Sequence, residues 1–199
     1  MSPADIADQL GKTNLCVCPD FLNHRTLREI QLDFESLKKT GIFKPAGTGQ
    51  GIDHKVRDHI RRDTVHWIEP DARHPVQSLL WTKLEDLKTA FNRSLYLGIS
   101  SIEGHYASFP KGGFYKRHLD CFQRNDDRVV SVIIYLNRDW KSSDGGRLRV
   151  YDQESYTDVD PVGGTLVCFM SRETEHEVMP SSVDRLSFAG WFKVKGAGS

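Results

Sequence analysis

The run VVSVIIYL at Val129–Leu136 is apolar at nearly every position and rich in β-branched residues, which indicates a buried β-strand. Three more β-rich runs follow it along the chain: Arg147–Tyr151, Thr165–Met170 and Arg185–Lys193. Turn sequences separate these runs, namely Asp144–Gly146 and Pro161–Gly164. Short strands broken by such turns predict a β-sandwich or a jelly roll.

Upstream of these strands, apolar residues recur at steps of three and four, the spacing of an amphipathic helix. One pattern begins after Asn23, a good helix N-cap, and ends near Gly41. Its apolar members are Leu27, Ile30, Phe34 and Leu37, and those of a second pattern are Val76, Leu80, Leu84, Leu87, Phe91 and Leu95. We therefore predict a mostly β, α+β fold: a double-stranded β-helix, or cupin-like jelly roll, with N-terminal helices on one sheet.

A chain of 199 residues suits one domain, 1–199. We expect residues 1–99 to supply helical support and residues 100–194 to form the jelly-roll core. The glycine-rich stretch Gly47–Gly51 has no strand-glycine-helix order or Lys-Ser/Thr pair, so it does not indicate a phosphate site. It predicts a mobile substrate loop at about 46–63, entering a strand that ends near Ile68.

Charge and hydropathy exclude several classes of protein. Lys+Arg and Asp+Glu both number 27, so no net basic field favours nucleic acid as a partner. The sequence has no apolar run long enough to span a bilayer and no signal-peptide order at its start. Four scattered cysteines fit reduced thiols. We expect a cytoplasmic, monomeric protein with no membrane or nucleic-acid partner.

His118-Leu119-Asp120 carries the first chemical signal. If these residues lie in a strand, His118 and Asp120 point to the same face and aim two ligands at one point. His176, 58 residues further on (176 − 118), begins another β-rich run and could supply a third ligand. Two imidazoles and a carboxylate on one side of an ion form the facial triad of non-haem iron(II) oxygenases.

Arg185 strengthens this interpretation because it shares a strand face with Ser187 and Trp191 in an alternating apolar run. An arginine that points into a β-core is costly unless it meets an anion. The distal carboxylate of a 2-oxo dicarboxylic acid would provide that anion, with its 2-oxo acid end on the metal. Tyr135 could donate a hydrogen bond to the same carboxylate, or it could be a core tyrosine with its hydroxyl at the rim.

The motifs together resemble the Fe(II)- and 2-oxoglutarate-dependent prolyl 4-hydroxylases, nearest to the hypoxia-inducible-factor type and its bacterial relatives. The resemblance extends over most of the chain. Its segments are Cys16–Leu22, Ile60–Ile68, Phe109–Asp120, Tyr135–Trp140, Gly145–Leu148, His176–Val178 and Arg185.

The resemblance assigns a role to each matching position. It makes His118, Asp120 and His176 the iron ligands and makes Arg185 and Tyr135 the residues that hold 2-oxoglutarate. Trp191 and Ser187 would line the cosubstrate pocket, and Arg128, Arg61 and Asp63 would contact the substrate. On composition alone, these last three are more often solvated surface charges. Phe109 stands where the family often has a tyrosine, and Tyr115 or a water molecule would take over that hydroxyl's part.

By the same resemblance, O2 and 2-oxoglutarate are consumed, a prolyl C4 is hydroxylated, and succinate and CO2 are released, with ascorbate as the reductant. The animal enzymes act in oxygen sensing on a transcription factor, and bacterial relatives act on a translation elongation factor. Because the sequence carries no appended domain, we expect the bacterial type of partner.

Two alternatives stay open on the sequence alone. The first is a 2-oxoglutarate oxygenase acting on another protein side chain, a free amino acid or an alkylated base. Net neutrality and the lack of a basic aromatic stripe disfavour the alkylated base. The second is a non-enzymatic jelly-roll protein that binds a structural metal or a sugar, which would leave Arg185 without an anion.

Overall fold

Three layers make up the protein: helices, a large sheet and a small sheet. The computed structural model describes residues 1–48, 55–70, 74–121 and 127–195. Every strand pairing among these residues is antiparallel. The predicted class, mostly β with helical support, is confirmed.

Three helices cover one side of the large sheet: α1 (Pro3–Thr13), α2 (His24–Lys39) and α3 (Pro75–Leu95). Asn23 caps α2 as predicted, because its side-chain oxygen accepts from the Thr26 N–H at 2.9 Å. Gly41 follows the helix end with φ +73°, a conformation that suits glycine. Within the described part of the chain, no helix is long and apolar enough to cross a membrane.

The strands form two main sheets and a short hairpin. The large sheet contains seven strands: β1 (Leu15–Cys18), β2 (Lys44–Pro45), β5 (Thr64–Ile68), β6 (Ile99–Phe109), β8 (Arg128–Tyr135), β11 (Leu166–Met170) and β13 (Arg185–Val194). The small sheet contains four: β7 (Tyr115–His118), β9 (Leu148–Asp152), β10 (Ser155–Val159) and β12 (His176–Val178). The hairpin pairs β3 (Gly47–Thr48) with β4 (Lys55–Val56).

From β6 to β13 the chain alternates between the two sheets, except that the consecutive strands β9 and β10 both lie in the small sheet. The large sheet has the order β1-β11-β8-β13-β6-β5-β2, and the small sheet has the order β10-β9-β12-β7. The chain therefore crosses repeatedly from one sheet to the other. This brings β7 and β12 side by side although they are distant in sequence.

Alternation along the strands divides the core in two. On β8, Val130, Val132 and Ile134 face the helices, whereas Ile133 and Tyr135 face the small sheet. On β13, Phe188 and Phe192 belong to the helical side, and Arg185, Ser187 and Trp191 line a cavity on the other side. The predicted common face of these last three residues is thus confirmed.

Backbone hydrogen bonds hold the described residues of the predicted loop at 46–63. Residues 47–48 pair with 55–56, and the following segment is bonded to β7, because Arg62 N–H donates to Phe114 O and Lys116 N–H donates to Ile60 O. The predicted loop at 46–63 is therefore a hairpin followed by a strap, the segment 60–62, along the edge of β7. Residues 49–54 lie outside the described residues.

We predict that Phe188→Ala lowers the free energy of unfolding by about 3–5 kcal/mol. Phe188 is fully buried, and its ring meets Trp81 edge-on at 6.0 Å. Truncation leaves a cavity between α3 and the large sheet. Urea unfolding followed by circular dichroism measures the change. Leu79→Ala, at an exposed position of α3, is the control and should change stability by well under 1 kcal/mol; an equal loss in both variants would contradict the assignment of Phe188 to the core.

Candidate metal centre

His118 and His176 stand opposite each other on paired strands. His118 ends β7, His176 begins β12, and the two residues are register partners with ring centroids 4.3 Å apart. Asp120 lies two residues beyond the end of β7, in a bend. The predicted strand alternation from His118 to Asp120 is therefore wrong, although the predicted convergence is correct. One ligand atom from each of the three residues lies within 4.8 Å of the others.

Backbone carbonyls fix the tautomer of both imidazoles. His118 Nδ1 lies 2.7 Å from Lys116 O, and His176 Nδ1 lies 3.2 Å from Thr174 O. A carbonyl only accepts, so each Nδ1 carries a proton, and in the neutral form of either ring the Nε2 keeps the lone pair. Those Nε2 atoms face Asp120, at 3.4 Å from Oδ1 for His118 and 3.7 Å from Oδ2 for His176.

Charges at this cluster also suit a cation. Burial alone would raise the pKa of Asp120, but His176, His118 and a hydrogen bond from Ser131 hold it well below its usual value. Burial lowers the pKa of His176 to about 4, against the opposing effect of Asp120. At neutral pH the cluster therefore presents an ionised carboxylate and a neutral imidazole at His176. Two nitrogen donors and one oxygen donor on one side of an ion fit iron(II) and leave positions open.

Arg185 is a buried cation without a carboxylate partner among the described residues. It is 1% exposed, and its Nε donates to Gly146 O at 3.0 Å while Nη1 lies 3.5 Å from Ser187 Oγ. Its Nη2 has no hydrogen-bond partner in the described part of the chain. Burial lowers the pKa of Arg185, and Tyr135 opposes that effect. Leaving a charged donor unpaired in the core costs several kcal/mol, which indicates an anion at this position.

Tyr135 provides a second donor beside Arg185. It is fully buried, which excludes the alternative of a hydroxyl at the rim, and its ring centroid lies 5.1 Å from the Arg185 guanidinium carbon. Burial raises the pKa of Tyr135 to about 12, so the phenol keeps its proton at neutral pH. Among the described residues its hydroxyl has no hydrogen-bond partner. Two unpartnered donors together fit a carboxylate.

One cavity of about 620 Å³ joins the two features, because its lining includes both histidines, Asp120 and Arg185. Such a volume suits a small dicarboxylic acid together with part of a larger molecule. Trp191, Ser187 and Tyr115 line the same cavity. The Tyr115 ring stacks on the His118 ring, with their centroids 3.5 Å apart. Burial raises the pKa of the Tyr115 hydroxyl to about 12.

Phe109 also lines the cavity, with its ring centroid 5.2 Å from the Arg185 guanidinium carbon. The two residues are register partners on β6 and β13. Phe109 therefore contributes an apolar wall where a tyrosine would add a hydroxyl.

Arg128, Arg61 and Asp63 are not solvated surface charges, so that interpretation of them is wrong. Arg128 pairs with Glu103 at 2.6 Å and lies over the Trp191 ring at 3.6 Å. Arg61 makes a two-point contact with Asp63, at 2.7 and 2.6 Å, and the Asp63 side chain is 0% exposed. All three line the cavity. Low exposure strengthens ion pairs of this kind.

Sequence reasoning missed His105 and Ser131. His105 is buried between two tryptophans, with its ring centroid 4.8 Å from that of Trp67 and 5.4 Å from that of Trp191. Burial is the main cause that lowers the pKa of His105 to about 3, and the positive charges of Arg61 and Arg128 lower it further. The sequence clue to His105 was its position on β6, two residues from Ala107 and four from Phe109, which places all three on the face that lines the cavity. Ser131 donates to Asp120 Oδ2 at 2.7 Å. Its signal was a serine among the aliphatic residues of the run VVSVIIYL.

Known proteins resemble this chain over nearly its whole length. The family described as the 2OG-Fe(II) oxygenase superfamily matches residues 104–193. Human "Prolyl hydroxylase EGLN3" is 30% identical over 92% of this chain and 80% of its own. Human "Egl nine homolog 1" is 32% identical over 92% of this chain and 44% of its own. The chain thus spans about half the length, or less, of several curated relatives that it matches.

Two solved structures are similar in both sequence and fold. A Pseudomonas putida prolyl-4-hydroxylase has 35% identity and a TM-score of 0.88, with coverage of 98% of this chain and 100% of that one. A Trichoplax adhaerens prolyl hydroxylase, solved with a hypoxia-inducible-factor peptide fragment, has 29% identity and a TM-score of 0.86. It aligns with 96% of this chain and 88% of its own.

Proposed function

Because the chain belongs to the prolyl hydroxylase family of 2OG-Fe(II) oxygenases, we propose that it is a dioxygenase that hydroxylates C4 of a prolyl residue in a protein. The observation that carries the proposal is the joint presence, in one cavity, of a His-Asp-His cluster and a buried arginine that lacks a carboxylate partner among the described residues. Neither feature alone would indicate a 2-oxo acid cosubstrate.

The proposed iron(II) ligands are His118, Asp120 and His176. Support comes from the free Nε2 lone pairs, the ionised carboxylate and the mutual approach of the three groups. Bound iron(II) would supply the oxidation, in which one atom of O2 enters the prolyl C4–H bond and the other enters succinate as 2-oxoglutarate loses CO2. The chain's own residues bind, orient and exclude water.

We assign Arg185 and Tyr135 to the distal carboxylate of 2-oxoglutarate. Their unpartnered donors support this role, because a carboxylate accepts from a guanidinium and a phenol at once. Ser187 and Trp191 would line the chain of the cosubstrate, and Tyr115 would support the end nearer the metal, where Phe109 has no hydroxyl.

Arg128 and the Arg61–Asp63 pair are the proposed contacts to the substrate. Their fixed positions in the cavity lining support this role, since each guanidinium is already oriented by a carboxylate and an aromatic ring. Low exposure would strengthen hydrogen bonds that they donate to a peptide.

We propose that the protein acts in the cytoplasm as a monomer. Its substrate would be another protein, and ascorbate would be the reductant. None of the four cysteines, all of which lie in described residues, forms a disulfide, which is in keeping with a reducing compartment. A translation elongation factor is the partner that we favour, because the motifs resemble those of bacterial prolyl hydroxylases that act on one, and a bacterial prolyl-4-hydroxylase is similar to this chain in sequence and fold. The sheet order of β6 to β13 supports a double-stranded β-helix in which the whole chain acts as one oxygenase unit.

The test is a proteomic comparison of cell extract treated with the parent protein or with His118→Ala. Iron(II), ascorbate and 2-oxoglutarate are supplied, and mass spectrometry records peptides that gain one oxygen. We expect gains on proline with the parent only, together with succinate formed in proportion. Gains on lysine or asparagine would overturn the prolyl assignment and keep the oxygenase, whereas no gain and no succinate would overturn both.

A further inference from the structure

Ser131 is a polar residue in β8, a strand that is buried at all eight positions and whose other residues between Arg128 and Tyr135 are all apolar. It is 1% exposed, and its register partners are Trp191 on β13 and Phe169 on β11. A hydroxyl at such a place is costly unless both its donor and its acceptor capacity are used. The hydrogen-bond partners of the Ser131 hydroxyl therefore indicate its role.

The direction of its hydrogen bonds follows from the chemistry of the partners. Ser131 Oγ lies 2.7 Å from Asp120 Oδ2 and 2.8 Å from Ser171 Oγ. An ionised carboxylate only accepts hydrogen bonds, so the Ser131 O–H must donate to Asp120. Ser171 must then donate to Ser131. The result is a one-way chain of donors from Ser171 through Ser131 to Asp120, in which each bond polarises the next.

Both hydroxyls are held on rigid backbone. Ser131 lies within β8, and the Ser171 N–H donates to Val129 O at 3.0 Å, just after β11 ends. Asp120, in contrast, follows the end of β7 and has no ladder partner. The sheet therefore cannot orient the carboxylate in the way that it orients the two histidines.

Each member of the His-Asp-His cluster has one outer partner of this kind. Lys116 O fixes His118, Thr174 O fixes His176, and the Ser131 hydroxyl contacts Asp120. Groups behind a metal ligand commonly change metal affinity by about 10- to 100-fold when they are removed. Ser131 contacts Oδ2 of Asp120, whereas Oδ1 lies 3.4 Å from His118 Nε2.

We propose that Ser131, supported by Ser171, is the positioning residue that orients the Asp120 carboxylate toward the ion that the cluster would hold. This inference rests on the proposed function of the cluster as an iron site. It assigns the hydroxyl pair to metal affinity and not merely to the filling of a buried gap.

The test measures Mn(II) binding to the metal-free protein by electron paramagnetic resonance, without 2-oxoglutarate or substrate. Ser131→Ala is expected to weaken Mn(II) binding about 10- to 100-fold, and Ser171→Ala less, by a few-fold. Ser131→Thr keeps the hydroxyl and suits a strand, so it should restore affinity to within a few-fold of the parent. The melting temperature of each metal-free variant reports separately on the fold.

Ser108→Ala is the matched control, since Ser108 is also a buried serine of the large sheet but alternates with Ala107 and Phe109, which line the cavity, and so points to the other face of β6. It should bind Mn(II) as the parent does. Unchanged affinity in Ser131→Ala, or equal loss in Ser131→Thr despite a parent-like melting temperature, would overturn the positioning role alone. A parent protein that binds no Mn(II) would overturn the iron-site proposal as well.

Discussion

His176→Ala is expected to abolish turnover, with succinate formation lowered at least ~10³-fold. The variant loses one of three ligand atoms and the neutral imidazole whose Nδ1–H is fixed by Thr174 O. An ion held by only His118 and Asp120 would be loosely bound and exposed to water. Succinate production with added iron(II), together with Mn(II) affinity, measures both consequences.

The control for this variant is His24→Ala, at the exposed start of α2. It should keep both turnover and Mn(II) affinity. Since the His176 ring also contacts Phe169 at 4.5 Å, the folded state of His176→Ala is checked by circular dichroism. Metal-dependent turnover that persists in folded His176→Ala would rule out this residue as a ligand.

Arg185→Lys is expected to raise the KM for 2-oxoglutarate about 10- to 100-fold, while Mn(II) affinity without cosubstrate stays unchanged. Lysine keeps the charge but replaces a planar two-point donor with a point donor. It also leaves Gly146 O and Ser187 without the contacts that Nε and Nη1 now make. Tyr135→Phe removes only one neutral donor, so a smaller rise of about five-fold is expected.

A change of cosubstrate isolates this effect. The parent should strongly prefer 2-oxoglutarate to 2-oxopentanoate, which lacks the distal carboxylate, whereas Arg185→Lys should discriminate much less between the two. Arg25→Lys, at an exposed position of α2, is the control. An unaltered preference in Arg185→Lys would show that Arg185 meets some other group.

The sequence predicted those parts of the fold that local physics controls. Examples are the helix caps at Asn23 and Gly41 and the apolar run of β8. Each depends on only a few neighbouring residues, so the sequence alone is enough to predict it. β10 (Ser155–Val159) was missed because four of its five residues are exposed, and only its pairing with β9 makes it a strand. The β3–β4 hairpin was missed for a similar reason, since two-residue strands carry no periodicity.

The site was predicted as a set of residues but not as an arrangement. Alternation placed Arg185, Ser187 and Trp191 on one face because they share a regular strand. It failed for Asp120, because β7 ends at His118 and the carboxylate is oriented by contacts from distant strands. The burial of Arg128 and Asp63 was equally invisible, since their partners and cover come from tertiary packing.

The strap 60–62 along β7 has a thermodynamic consequence. Its two backbone bonds to Phe114 and Lys116 join the hairpin side of the cavity to the strand that ends in His118, while Arg61 lies over the Tyr115 ring at 4.2 Å. If a bound peptide shifts the strap, and these bonds pass the shift on to His118, the free energy of ion binding there changes. By reciprocity, ion binding alters the free energy of peptide binding by the same amount and with the same sign.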